Sequence, residues 1–146
     1  MLGDLLKILR GDDAPERMSK ADQRLALAAL LVRLARSDEH YDRIERDQID
    51  LILSHKYGLG AADAGALRAE GERVEAEAPD TVRFTRVIKD AIPYEERTTI
   101  AEALWLVALA DGERAPEENA FVRQVVSLIG VSDRDSGLAR QRAERS

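Results

Sequence analysis

The sequence contains no cysteine. Disulfides, thiolate nucleophiles and thiolate metal sites are thereby excluded, in keeping with a reducing compartment. Aromatic residues make up only 4% of the 146 positions, so a core has to be built from aliphatic side chains. The longest apolar runs, Leu25 to Val32 and Ala103 to Ala110, are eight residues each, far short of the roughly 20 needed to cross a bilayer. Positive charge is not in excess either. With 28 acids against 22 bases the net charge is −6, which argues against a duplex nucleic-acid or anionic-membrane surface and makes cations the more natural partners. Residues 1 to 10 lack the basic start and apolar run of a secretion signal, because Asp4 interrupts them, so a soluble, cytoplasmic chain is expected. There is no glycine-rich phosphate loop, no nucleophile elbow and no paired His-Glu metal helix, and the chain is not expected to be an enzyme. A carboxylate-dependent hydrolase is a distant third reading.

Against these absences stands a strong helical composition. Ala supplies 22 residues and Leu 18, while Val and Ile together supply 17, which predicts an all-α fold. An apolar share of 45% beside 34% charged residues is a globular balance, read as one domain over 1–146 with its core at about 20–135. Punctuation then divides the chain into about seven to eight helices. Leu2, Leu5, Leu6 and Leu9 form a short first helix, stopped at Gly11-Asp12-Asp13 and Pro15. Ser19 caps a long helix to about Ser37, and Asp42, with Glu45 three residues on, caps the next, which Ile44, Ile49, Ile52 and Leu53 carry to Gly58. Residues 61–78 read as an Ala-rich helix weakened by Gly65 and Gly71. Asp80 caps a helix in which Val82, Phe84, Val87 and Ile88 are available for packing; Pro93 opens another to Ala110, Pro116 a third that ends at Gly130, and Ser132 the last. Trp105, Phe84, Tyr94 and Phe121 read as packing residues, and His55 as a partner of its helix C-terminus.

A shift of 73 residues lays Ala35 to Asp38 on Ala108 to Asp111, Glu45 on Glu118, Ile49 on Val122 and Ile52 on Val125, and with one deletion Gly58 on Gly130. The chain thus reads as two diverged helix-loop-helix repeats, about 25–59 and 99–131. Each loop keeps an Asp at the end of one helix and a Glu seven residues later. Segments 38–45 and 111–118 together hold eight acids and two bases, so the whole excess of six negative charges lies there. Two carboxylates across a short turn, with the carbonyls freed at a helix end, can begin the oxygen shell of a hard divalent cation. The metal-site residues are therefore Asp111, Glu118, Asp38 and Glu45, with calcium, magnesium, manganese or zinc as the candidate ions. His40 could add an imidazole to the first loop. The competing account is purely local: Asp42 and Glu45 form a capping box and Gly112 ends a helix. Glu118 fits it less well, because its capping position is Ala115, which has no side-chain oxygen.

Glu96-Arg97, the segment Leu104 to Gly112 with its Ala-x-Ala-Asp-Gly ending, Glu117-Glu118 and the diverged copy at Ala35 to Glu45 resemble the TerB-like family associated with tellurite resistance. The resemblance covers about residues 20 to 135. It implies an all-helical, internally duplicated, stress-associated protein that binds a divalent cation at Asp111 and Glu118, and at Asp38 and Glu45, or that docks a protein partner through its acidic loops. Ser37-Asp38-Glu39 departs from the Ala-Asp-Gly form, so the second loop should be the better ion site. A helical module that only holds another protein, without metal, is the alternative.

Overall fold

The computed structural model describes residues 2–9, 17–37, 41–78, 80–109 and 116–145, with the backbone alone for 2–4 and 116–118. These residues form eight α-helices and no strand: α1 (Leu2–Leu9), α2 (Lys20–Arg36), α3 (Arg43–Tyr57), α4 (Ala61–Glu77), α5 (Thr81–Ala91), α6 (Tyr94–Leu109), α7 (Pro116–Leu128) and α8 (Asp133–Glu144). The all-α expectation holds, with the helix boundaries where the caps and prolines put them. Ser19, Asp42, Asp80 and Ser132 each accept a hydrogen bond from the backbone N–H three residues ahead, satisfying one of the donors that every helix start leaves over.

The two eight-residue apolar runs become the central helices. In α2 every side chain from Leu25 to Val32 is buried, and in α6 Ile100, Ala101, Ala103, Leu104, Trp105, Val107 and Ala108 are. With apolar side chains on most of their circumference over these runs, α2 and α6 need cover on several sides; they pack on each other, with α4 and α7 against α2 and with α3, α7 and α8 against α6. All eight helices contribute to the buried cluster. Two residues expected to pack do not: Ile44 is 72% exposed and Val82 47%.

The helix pairs α2/α3 and α6/α7, aligned by the 73-residue shift, end alike. Gly58 and Gly130 both take the left-handed conformation, with φ 64° and 78°, and the next N–H reaches back into the helix, Leu59 N to Ser54 O at 3.0 Å and Val131 N to Val126 O at 3.1 Å. This is the glycine-terminated helix end that satisfies the last carbonyls.

Candidate functional site

The predicted site residues lie at the junctions α2/α3 and α6/α7. Asp38, His40, Asp111, Gly112 and Ala115 lie outside the described residues. Glu118 belongs to the first turn of α7, with its side chain likewise outside. The first junction is described from both sides. At the end of α2, Ser37 Oγ donates to Leu34 O at 2.6 Å. On the far side Asp42 Oδ1 accepts the Glu45 N–H at 3.1 Å, but no return bond from Asp42 N–H to Glu45 forms among the described residues. Half of the capping box is present, so local capping explains the position of Asp42 better than that of the Glu45 carboxylate. Glu45 Oε2 is shut off from water, and Glu45 engages a further group beyond this cap.

At the second junction Asn119, next to Glu118, buries its Oδ1, which accepts no hydrogen bond among the described residues. A buried carbonyl oxygen without a donor costs about 1–3 kcal/mol. Glu45 Oε2 and Asn119 Oδ1 occupy the first turns of α3 and α7, one position apart under the 73-residue shift. Both are hard oxygen donors of the kind that magnesium and calcium take. The described side chains alone bring no three metal-ligating groups together.

Sequence reasoning missed what anchors the first loop. Tyr41, within it, donates its hydroxyl to Glu72 Oε2 at 2.5 Å; Arg68 bridges Glu72 at 3.1 Å and Asp50 at 2.6 Å. Arg36 and Arg46 approach the Tyr41 ring at 5.0 and 5.9 Å, and Arg36 pairs with Glu75 at 2.8 Å. Burial first, and then Glu72, pushes the Tyr41 hydroxyl well above the usual phenol range. Burial opposes the charge on Arg68, but bonds to Asp50 and Tyr41 and the nearby carboxylates more than offset it, raising its pKa. The loop is thus tied to α4 by a charged network, with cations on its α2 and α3 sides. Its only signal in the sequence was the high charge of α4, which reads equally well as a solvated face.

A family model described as tellurite resistance protein TerB matches residues 24–141. The chain belongs to the TerB family. The match takes in most of α2, all of α3 to α7, most of α8 and both acidic junctions, so the junction residues belong to the TerB domain itself. The family's name refers to tellurite resistance and to no reaction. No curated protein and no solved structure matches the chain. No helix among the described residues is long and apolar enough to cross a membrane, consistent with the eight-residue limit on the apolar runs of this TerB-family chain.

Proposed function

We propose that this chain is a non-catalytic, stress-associated TerB-family protein whose acidic interhelical loops hold a divalent cation. Asp111 and Glu118 would ligate it in the second loop, and Asp38 and Glu45 in the first. The observation that carries the reading is Asn119 Oδ1, a solvent-hidden side-chain oxygen in the first turn after the second loop that accepts no hydrogen bond among the described residues. Helix N-termini favour anions, so acids there are stable without metal; a buried oxygen next to them needs a further positive or donating partner. A cation bound in the second loop would supply it for Asn119 Oδ1 and would neutralise part of the charge concentrated in the two segments. Calorimetric titration with calcium, magnesium, manganese and zinc tests this. Saturable binding to the wild type, lost or weakened at least tenfold by Asp111→Asn with Glu118→Gln, is expected; a wild type that shows neither heat nor a thermal shift with any of the four ions refutes it.

A metal-free interaction module is the second reading. The exposure of Ile44 and Leu51, at 72% and 66%, favours it, because they lie seven residues apart on one face of α3.

A further inference from the structure

On the side of the molecule where α3, α6 and α8 meet, an open groove of about 510 Å³ is bounded by Leu51 and Ile52 of α3, Ala103, Leu106 and Leu109 of α6 and Ala143 of α8. This volume lies within the ~300–1,000 Å³ usual for small-molecule sites. Leu51 stays 66% exposed beside it, so one wall is an apolar surface still in water.

The ionisable lining groups, His55 and Lys56 of α3 and Glu102 of α6, lie near one another in sequence on each helix, while Gln48 adds an uncharged amide eight residues before Lys56. Lys56 feels Glu96, in the first turn of α6, and Glu102, at its middle, and Thr99 stands between them in sequence. Leu106 and Leu109, in the last turn of α6, carry the groove's apolar floor away from the charged groups. From Thr99 to Leu109 the floor runs about 15 Å at 1.5 Å per residue, room for an extended chain of roughly ten carbons. The charges at the polar end are unequally committed. Glu102 receives Arg142 Nε at 2.6 Å, whereas Lys56 is half-buried and, among the described residues, forms no ion pair; its ammonium has only the Tyr57 ring at 5.7 Å. Burial lowers the pKa of Lys56, against the pull of the two glutamates, as expected for an ammonium short of a close counter-ion.

A groove with an apolar trough, a closed carboxylate–guanidinium pair and one uncommitted ammonium at its end is complementary to an apolar chain with a single negative head. We propose that it binds a linear amphiphilic carboxylate of medium chain length, the head paired with Lys56 and the chain laid along Leu51, Ala103, Leu106 and Leu109. The site is separate from the acidic loops and does not depend on a cation there.

Titration with decanoate and with decyltrimethylammonium, both below their micelle concentrations, tests the proposal by calorimetry, with backbone amide shifts locating the ligand. Decanoate is expected to bind one to one, to shift amides of α3, α6 and α8, and to bind at least tenfold more tightly than the cationic amphiphile. Lys56→Met keeps the apolar stem and removes the charge, and should weaken decanoate at least tenfold. Leu51→Asp, at an exposed position where folding is not at stake, should weaken it too by placing a carboxylate on the wall. Equal affinity for the two head groups, undiminished binding to folded Lys56→Met, shifts confined to other helices, or no saturable decanoate binding would each overturn the proposal.

Discussion

Gly71 of α4 stands directly against Ala28 of α2. A Cβ placed on it would lie 2.8 Å from the Ala28 Cβ and 2.9 Å from the backbone of Ala28 and Ala29, closer than non-bonded carbons approach. The glycine that weakens α4 as an isolated helix is what lets α4 lie on the most apolar stretch of the chain. Intrinsic propensity and tertiary packing oppose each other here, and packing wins.

Gly71→Ala should therefore destabilise the fold. The substitution gains up to about 1 kcal/mol of helix propensity but overpacks against backbone that cannot rotate away, at roughly 1–3 kcal/mol. A net loss of about 1 kcal/mol or more is expected in urea unfolding. Gly65→Ala, six residues earlier in α4, meets only Asp50 Oδ2 at an ordinary 3.7 Å and should stabilise by up to about 1 kcal/mol. Equal effects of the two substitutions would mean that the close approach at Ala28 is not a constraint.

Arg97 fastens the start of α6 to the end of α7. Its guanidinium donates to Ile92 O at 2.9 Å and to Ile129 O at 2.6 Å and lies 5.1 Å from the Tyr94 ring. Hydrogen bonds from a charged donor contribute about 1.5–3 kcal/mol each, less where water reaches them, so Arg97→Ala should cost about 2 kcal/mol. Arg97→Lys should recover little, because a single ammonium cannot serve two carbonyls in the geometry of the fork. Full recovery by lysine in thermal or urea unfolding would show that charge alone matters there.

Stability should fall in alkali. Burial, partly offset by Arg24 and reinforced by Glu96, pushes the Tyr57 hydroxyl up to about 12, and Tyr41 is raised in the same direction by burial and by Glu72. Above about pH 10 the unfolded chain has released these protons while the folded chain still holds them. The stabilisation is complete below pH 10 and is lost as pH rises through the folded values. Urea midpoints followed from pH 9 to 12 should decline, and Tyr57→Phe should flatten the decline between pH 10 and 12. A variant as steep as the wild type would remove Tyr57 from this account.

What was legible along the chain was legible because it is local. Ser19, Asp42, Asp80 and Ser132 bond three residues ahead, Gly58 and Gly130 close helices that end one and two residues before them, and each can be read from a window of a few residues. The apolar runs at 25–32 and 103–110 marked the two central helices; the first is buried throughout, while Leu106 and Leu109 of the second are only partly covered. Ile44 and Val82 were misjudged because apolar character does not say which direction lacks a neighbour. Tyr94, read as a packing residue, instead gives its hydroxyl to Asp135 at 2.6 Å and accepts the Ser132 N–H at 3.2 Å. Of the candidate site, the two acidic junctions and the excess charge in them were readable. The Tyr41, Glu72, Arg68 and Asp50 network was not, since its members are 4 to 31 residues apart and each alone is an ordinary surface residue.

Helix number, helix ends, the all-α class and TerB-family membership follow from the order of residues, because propensity, capping and punctuation act over one or two turns. Which helix became the centre, why a glycine was needed at position 71, which carboxylate oxygens were withdrawn from water and where an uncommitted lysine met an apolar groove were settled only when the helices packed. Those properties depend on distances between residues remote in sequence, and solvent exclusion exists only once the packed surfaces have closed around them.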